Sequence, residues 1–443
     1  MKKINIVLYT VIVLLFAGII SLWVEPPFRT GVKVLLTIGT VVLYLGTVMI
    51  GLPAKGETPR LRRLKRGADM ILAGGISAVL ASVMMVLWIM DTGAGIVAKI
   101  FGIAFPLIAV GLIVFAGMVR VLVSARQLRI KDYVLLILFW WMPLVNILLI
   151  RKAYKTARRE YIIESDRLEL ESARVNDSVC CTKYPILLVH GIFFRDWQYM
   201  NYWGRIPAVL IQNGAKVFYG RQQSALSVPD SAKEVCRAIE EVLAETGAEK
   251  VNIIAHSKGG LDSRYAISCL GMDKYVATLT TVNTPHKGCD MVDFLMKKLP
   301  AGAVKYIENK YNTLFSKLGD NAPDFMAGVN DLSAEKAKTY DSLMPDSPLV
   351  SYRSIMSVMS RAGSAGFPLN IGYRLIKRLN GANDGLVWEE SAKHGQSFRL
   401  VTAPGKRGIS HGDIIDLMRE NIKGFDVREF YVELVSGLRH EGF

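Results

Sequence analysis

Four long apolar segments occupy the first 124 residues of the chain and restrict what this part of it can fold into. They cover residues 4–24, 31–52, 68–90 and 100–124. A helix needs about 20 apolar residues to cross a bilayer, and only helices and closed barrels satisfy their backbone hydrogen bonds in lipid. Four successive segments of this length predict an all-α transmembrane domain and not the buried helices of a soluble core. The first segment lacks a small-residue cleavage site, so we interpret it as an anchor and not as a signal peptide.

Positively charged loops predict how these spans are oriented. Lys2 and Lys3 precede the first span, and further basic residues lie before the third span and directly after the fourth: Lys55, Arg60, Arg62, Arg63, Lys65, Arg66, Arg126, Arg129 and Lys131. The other loops, around residues 25–30 and 91–95, hold almost no positive charge. Because cytoplasmic loops carry the excess of Lys and Arg, the N-terminus and both basic loops are predicted to be cytoplasmic. The net charge of +15 therefore indicates an anionic membrane surface, and no nucleic-acid partner is expected.

A fifth apolar segment, residues 133–150, has a different character. It is short, contains Pro143 and Asn146, and has basic residues on both sides. A re-entrant or interfacial hairpin bent at Pro143 keeps both flanks in the cytoplasm, whereas a plain fifth span would place the rest of the chain outside. We expect the hairpin, and hence a cytoplasmic C-terminal domain at a cell membrane. The odd number of cysteines, five, favours the same reducing compartment.

The pattern changes after residue 183, where short β-type runs alternate with amphipathic helical stretches. Strands are predicted at residues 185–190, 216–219, 250–255, 277–283, 349–358 and 398–402, and helices at residues 231–246, 258–270 and 413–422. This alternation is typical of a mostly parallel sheet flanked by helices. We therefore divide the chain into a multi-pass transmembrane domain at 1–150, a charged helical linker at 151–182 and an α/β domain at 183–443.

The run V-N-I-I-A-H-S-K-G-G-L, residues 251–261, predicts a sharp turn between a strand and a helix. Small residues, Ala255 and Gly259, lie two positions before and two after Ser257, where larger side chains would collide in such a turn. This spacing is typical of a nucleophile elbow, which lifts the serine hydroxyl clear of the sheet. The amide of Lys258, at the start of the helix, can then stabilise a developing oxyanion.

A second oxyanion donor is predicted at the end of the first strand, in His190-Gly191-Ile192. A glycine at this point lets the backbone approach a substrate closely. The amide of Ile192 can therefore face a substrate carbonyl together with that of Lys258.

A serine nucleophile needs a histidine base and an acid that fixes the tautomer of that base. In folds with this elbow the chain order is serine, acid, histidine. Among the six histidines, His411 follows a predicted strand through a glycine-rich loop, where a mobile base belongs, whereas His394 is interpreted as a surface histidine. Asp384, in a tight Asp-Gly turn between Ser257 and His411, is the best candidate for the acid.

Residues 183 to about 425 resemble the bacterial triacylglycerol lipases of the α/β-hydrolase superfamily. The resemblance rests on five motifs in order: P-I-L-L-V-H-G (185–191), A-H-S-K-G-G-L-D-S-R-Y (255–265), T-P-H-K-G (284–288), N-D-G-L-V (383–387) and S-H-G-D (410–413). It implies an α/β-hydrolase fold in which Ser257 is the nucleophile, Asp384 the acid and His411 the base. Ile192 and Lys258 would supply the oxyanion amides. The chain departs from these lipases in the alanine that begins its elbow and in its transmembrane half.

The resemblance also bears on cofactors. Asp413 matches one ligand position of the structural calcium ion that some relatives bind. No convincing partner carboxylate is found at the upstream ligand position, where Asn370 is the nearest polar residue. No cofactor is therefore expected, and a structural calcium ion is left open.

The insertion at residues 290–348 carries apolar residues at helical spacing. It predicts amphipathic helices that cap the sheet or, by the resemblance, a lid over an acyl pocket. The resemblance implies a serine hydrolase that cleaves lipid esters through an acyl-enzyme, and the apolar segments predict that it is anchored among membrane lipids. Two alternatives remain: an acyltransferase with the same triad, and a membrane scaffold or transport protein whose hydrolase domain only binds a ligand. The intact order of serine, acid and histidine, and the position of the charges near the span ends, argue against the last.

Overall fold

The computed structural model describes residues 4–24, 28–91, 93–174, 178–192, 201–223, 225–317, 320 and 323–443, and it divides into two units. The described part of the first unit, Met1–Ala173, contains the helices α1 (Ile4–Ala17), α2 (Ile19–Val24), α3 (Thr30–Ile50), α4 (Pro59–Asp91), α5 (Ile96–Ser124), α6 (Ile130–Leu138) and α7 (Pro143–Ala173). Three stretches, Thr30–Ile50, Pro59–Met90 and Ile96–Ser124, are long and apolar enough to cross a membrane. The predicted span at residues 4–24 is not one continuous helix, because it is interrupted at Gly18 between α1 and α2.

Close packing within the first unit rests on small and aromatic side chains. A Cβ at Gly67 of α4 would lie 2.7 Å from the carbonyl oxygen of Gly117 on α5, so these two helices cross where both residues are glycine. The ring of Phe16 stacks on that of Tyr44 at 4.1 Å, and the Tyr44 hydroxyl donates a 2.6 Å hydrogen bond to the carbonyl oxygen of Ala109. Small residues that let helices approach are typical of helix packing in lipid.

A helical hairpin forms where the sequence predicts the fifth segment. The chain turns at residues 139–142 and α7 begins at Pro143, a residue that suits the first position of a helix. Asp132 near the start of α6 forms an ion pair with Lys152 on α7. Both basic flanks of the segment therefore lie at the same end of the hairpin. Its entry into a membrane stays a prediction.

The structure differs from the charged linker predicted at residues 151–182. The first part of that stretch continues α7 to Ala173, and Ala153 and Ala157 are buried in the first unit. Glu160 forms an ion pair with Arg60 and accepts hydrogen bonds from the backbone amides of residues 126 and 127. Part of the charge that suggested a solvated linker thus has partners inside the helical unit. The boundary between the two units falls after Ala173 and not at residue 150.

The second unit, Arg174–Phe443, is built on a parallel sheet. Its strands are β1 (Ile186–Val189), β2 (Val217–Tyr219), β3 (Val251–His256), β4 (Val276–Val282), β5 (Ser351–Ser357) and β6 (Ser397–Val401), in the spatial order β2-β1-β3-β4-β5-β6. All six predicted strands are confirmed. β1, β3 and β4 are buried at every position, as expected of parallel strands covered on both faces.

Helices cover both faces of this sheet. The described helices of this unit are α8 (Ile206–Gln212), α9 (Val228–Thr246), α10 (Lys258–Cys269), α11 (Asp290–Lys298), α12 (Ala301–Lys317), α13 (Phe325–Asn330), α14 (Ala334–Leu343), α15 (Leu369–Leu379), α16 (Glu389–Ala392) and α17 (Val427–His440). Leu188 and Ile254 of the sheet pack with residues of α8 and α17. Leu187 and Ile253, one residue earlier on each strand, pack with residues of α9 and α10. Because successive side chains of a strand point to opposite faces of the sheet, they build two separate hydrophobic cores, one on each face.

The helix predicted at residues 413–422 is wrong. Residues 411–418 form successive turns, and Asp416 and Arg419 have positive φ values of 58° and 52°. The Asp416 carboxylate accepts hydrogen bonds from the backbone and the guanidinium of Arg205, which lies 211 residues away in the chain. These long-range bonds outweigh the local helical pattern. The helices predicted at 231–246 and 258–270 are confirmed by α9 and α10, and the predicted insertion contains α11 to α14.

Candidate active site

Ser257 stands on a sharp turn between β3 and α10, at the carboxyl edge of the sheet. Its φ and ψ of 53° and −129° lie in a region that non-glycine residues rarely occupy. A Cβ at Gly259 would come within 2.3 Å of the carbonyl oxygen of His190, so a larger residue does not fit at that position. The turn therefore has the sharpness that the spacing of small residues around Ser257 predicts.

Asp384 and His411 form a hydrogen-bonded pair. His411 Nδ1 lies 2.6 Å from Asp384 Oδ2, and the His411 amide donates to the Asp384 carbonyl oxygen at 2.9 Å. Asp384 is fully buried, and its Oδ1 accepts 2.8 Å hydrogen bonds from the amides of Leu386 and Val387. An ionised carboxylate only accepts, so Nδ1 carries the proton of the ring. Nε2 of His411 is then the nitrogen that can take up a further proton.

The loops that carry this pair are both tied to the end of β5. The amide of Met359 donates to the carbonyl oxygen of Asn383 at 2.9 Å, and the amide of Ile409 donates to that of Val358 at 2.8 Å. β5 ends at the same edge of the sheet as β3, because the strands are parallel. The fold thus brings the two loops to the edge at which Ser257 stands.

His411 lies beside the elbow. The centroid of its ring is 4.5 Å from that of His256, the residue that precedes Ser257. His256 Nε2 lies 3.1 Å from the carbonyl oxygen of His411. Ser257 and His411 are 7% and 9% exposed, so this edge of the sheet is largely covered.

His256 and Tyr202 support this edge, although the sequence assigns neither of them a part in the triad. The Tyr202 hydroxyl lies 2.6 Å from His256 Nδ1. A carbonyl oxygen can only accept, so His256 Nε2 donates to His411 and its Nδ1 accepts from Tyr202. Burial holds the pKa of His256 well below its usual value, and the neutral ring suits this pattern. The position of His256 in the elbow motif gives a sequence signal for it, whereas we find none for Tyr202.

Lys258 directly follows the serine, and Ile192 follows a glycine that lies against the elbow. Lys258 is the first residue of α10, and amides in the first turn of a helix lack an acceptor within the helix. Gly191 lies against the elbow, since a Cβ there would be 2.8 Å from the Ser257 Cβ. Ile192 follows it and is the last residue described before 193–200. The role of these two amides as oxyanion donors stays a prediction.

The side chain of Lys258 forms a buried ion pair within the second unit. Its Nζ lies 2.6 Å from Asp262 Oδ1 and 2.9 Å from the Ser231 hydroxyl oxygen. Burial raises the pKa of Asp262 to about 7, although Lys258 acts in the opposite direction. This pair links the first two turns of α10 to α9, directly behind the elbow.

Replacing Lys258 with methionine is expected to destabilise the second unit by about 3–5 kcal/mol, because it leaves the Asp262 carboxylate buried without its cation. Folding raises the pKa of the Asp262 carboxyl, so this group loses its proton at a lower pH in the unfolded chain than in the folded one. The free energy of unfolding therefore falls as the pH rises from the unfolded pKa to the native pKa. In the wild type this pH range ends at about pH 7, the pKa of folded Asp262. Without Lys258 that pKa rises further, so the range extends to higher pH. Thermal unfolding should therefore show a larger loss at about pH 8 than at about pH 6. The double variant Lys258→Met/Asp262→Leu should recover most of the loss, and an undiminished loss would contradict the argument.

His394 is not the surface histidine that the sequence predicts. Its ring stacks on that of His286 at a centroid distance of 4.5 Å, and its Nε2 lies 3.0 Å from Asp346 Oδ1. Burial holds the pKa of His286 well below its usual value. The short helix α16 ends two residues before His394, so the chain turns this ring inward against a histidine that is distant in sequence. A second His–Asp pair therefore exists besides the one formed by His411.

The residues around Asp413 do not fit a calcium ion. Asp413 Oδ2 accepts hydrogen bonds from the amide and the hydroxyl of Ser410, and Oδ1 lies 3.0 Å from Arg407 Nη2. Both carboxylate oxygens thus have donors from the protein, and one of these donors is a cation. Within the described ranges of the chain, no group of three or more His, Cys, Asp or Glu is placed to share a metal ion.

An apolar cluster links the site to the insertion. Ile192 packs there with buried residues from α9, α10, the insertion, α15 and the loops between them: Ala225, Val228, Leu261, Cys289, Met291, Val329, Leu332, Tyr340, Met344 and Ile376. Helices α11, α13, α14 and α15 therefore roof the side of the site on which Ile192 lies.

Known proteins resemble part of this chain. Residues 185–338 match the family model described as palmitoyl protein thioesterase. Triacylglycerol lipases of Pseudarthrobacter phenanthrenivorans and Burkholderia plantarii are each 33% identical over 185 residues, which are 39% of this chain and 57% and 51% of theirs. The second unit has the α/β-hydrolase fold. The predicted resemblance of this α/β hydrolase to bacterial triacylglycerol lipases is confirmed, although the match spans only about half the length of these two relatives.

Solved lipase structures match more than half of this chain. The lipase of Staphylococcus hyicus matches 59% of this chain and 97% of its own, with 17% identity and a TM-score of 0.45. The mature form of a Bacillus licheniformis lipase matches 57% of this chain and 92% of its own, with 20% identity and a TM-score of 0.43.

Proposed function

We propose that the α/β-hydrolase unit is a serine hydrolase that cleaves carboxylic esters of lipids. The observation that carries this proposal is the hydrogen-bonded pair of Asp384 and His411 beside the elbow of Ser257. The proposal requires that the Ser257 hydroxyl and His411 Nε2 come within hydrogen-bond distance in the substrate complex, where such contacts tighten.

The proposed reaction runs through an acyl-enzyme. His411 Nε2 takes the proton of the Ser257 hydroxyl as its oxygen attacks the ester carbonyl carbon. The amides of Ile192 and Lys258 stabilise the oxyanion, and His411 then gives the proton to the departing alcohol. A water molecule, deprotonated by the same histidine, attacks the acyl group and releases the fatty acid with Ser257 restored.

The insertion and the helical unit fit a role at a lipid surface. The insertion packs on the apolar cluster around Ile192, and we propose that it opens as a lid to admit an acyl chain. Three helices long and apolar enough to cross a membrane would anchor the enzyme beside its substrate. By the charge of the loops, the hydrolase unit faces the cytoplasm.

Two related reactions use the same residues. Thioester cleavage is favoured by the match of residues 185–338 to the palmitoyl protein thioesterase model, because an acyl-enzyme forms equally from an ester or a thioester. Acyl transfer differs only in that an alcohol replaces water in the second step.

The test combines an active-site probe with product analysis on the purified full-length protein. A fluorophosphonate should label Ser257, and a p-nitrophenyl palmitate should be hydrolysed faster than a palmitoyl thioester. Faster cleavage of the thioester would favour the thioesterase function, and ester products with an added alcohol would favour acyl transfer. Neither labelling nor hydrolysis of any acyl substrate would contradict the proposal. In cells, a membrane-impermeant form of the probe should label the protein only after permeabilisation.

A further inference from the structure

The outer sides of α11, α12 and α15 leave large apolar side chains in contact with solvent. The exposed residues are Phe294, Met296, Tyr306, Ile307, Leu314, Ile371 and Leu379, together with Phe367 just before α15, whose side chain is 81% exposed. We call these helices, with residues 290–317 and 367–379, the α11–α12–α15 face. Scattered exposed apolar residues are normal, but these lie on three helices that pack on one apolar cluster, and we interpret them as an interaction surface.

Basic residues alternate with apolar ones along this face. Ile307, Lys310, Leu314 and Lys317 follow one another at intervals of three, four and three residues on α12, so they share one side of the helix. Ile371 shares one side of α15 with Arg374 and Arg378 in the same way, and α12 and α15 are exposed at all these positions. Apolar side chains flanked by Lys and Arg are typical of helices that lie in the interface of a bilayer.

The charge of the hydrolase unit is concentrated on the same face. Residues 174–443 hold 33 Lys+Arg against 29 Asp+Glu, and residues 290–317 and 367–379 alone hold 8 against 3. The rest of the unit is thus close to neutral, with 25 against 26. A local positive potential around apolar side chains is complementary to anionic lipid headgroups.

The inner side of the α11–α12–α15 face packs on the apolar cluster beside the candidate active site. Met291 of α11 and Ile376 of α15 are buried in the cluster that contains Ile192, and Tyr311 of α12 packs against that cluster. We propose that the α11–α12–α15 face binds the surface of a bilayer that contains anionic lipids. Both α15 and the helices of the insertion then contact the lipid. Lysines are depleted at the cores of protein interfaces, so their alternation with apolar side chains favours lipid over a second protein chain. The proposal does not depend on the chemistry of Ser257.

The test is amide hydrogen exchange on the full-length protein, one copy per lipid nanodisc. Discs of phosphatidylcholine alone are compared with discs that contain about one third phosphatidylglycerol. In the anionic discs, peptides within residues 301–317 and 369–379 should exchange roughly tenfold more slowly. The protection should be lost in about 0.5 M salt, which screens charges beyond a few ångströms.

The variant Lys310→Glu/Lys317→Glu should lose most of this protection. Its matched control is Lys216→Glu/Lys274→Glu, the same change of charge at exposed residues that precede β2 and β4, at the opposite edge of the sheet. The control should keep the protection. Equal exchange in both kinds of disc, or equal loss in both variants, would overturn the proposal. Protection that is the same in both discs and resists salt would also overturn it, and would indicate a protein surface instead.

Discussion

Replacing Ser257 with alanine is expected to lower the rate of ester hydrolysis by roughly 10⁶-fold, which is the scale seen when a serine nucleophile is removed from an intact triad. No acyl-enzyme can form without its oxygen, and labelling by a fluorophosphonate should disappear. KM should change little, since the apolar cluster around Ile192 that would hold an acyl chain is untouched. The measurement is kcat and KM on a p-nitrophenyl ester, with the full-length protein in detergent.

The serine control is Ser342→Ala on α14, where the hydroxyl is exposed and bonds only the preceding turn of its own helix. This variant should keep the wild-type rate and the label. Thermal unfolding of Ser257→Ala should match that of the wild type, because alanine can occupy the same positive φ as serine. Hydrolysis by Ser257→Ala at the wild-type rate would rule out this serine as the nucleophile.

Local patterns in the sequence were sufficient for the sheet and the elbow. Buried parallel strands are short apolar runs, and every one of the six is confirmed. The elbow depends on residues within two positions of Ser257, so its geometry follows from a pentapeptide. The turn is so sharp that a Cβ at Gly259 would lie only 2.3 Å from the carbonyl oxygen of His190.

Features that depend on distant partners could not be predicted in this way. Residues 413–422 have a helical pattern, but Asp416 is bound by Arg205 from another part of the chain. The inward position of His394 depends on His286 and Asp346, which lie on other loops. In the helical unit, the break at Gly18 and the continuation of α7 to Ala173 depend on packing that hydropathy does not report.

Replacing Asp384 with asparagine is expected to lower kcat by roughly 10⁴-fold, with little change in KM. Two backbone amides, those of Leu386 and Val387, hold Oδ1 as an acceptor. The asparagine oxygen should therefore stay on that side, and its NH₂ group should face His411 Nδ1. Nδ1 would then have to accept, the proton would move to Nε2, and the ring could no longer deprotonate Ser257. The measurement is the pH profile of kcat, together with the rate of fluorophosphonate labelling.

Asp346→Asn supplies the matched control, because it makes the same change in the other His–Asp pair of this unit. Asp346 Oδ1 lies 3.0 Å from His394 Nε2, yet the ring of His394 stacks on His286, whereas that of His411 lies beside the residue before Ser257. We expect Asp346→Asn to change kcat by less than about threefold, as for an ion pair that is partly exposed. A loss as large as that of Asp384→Asn would reassign the base to His394. The two variants together therefore show which of these two His–Asp pairs supplies the base.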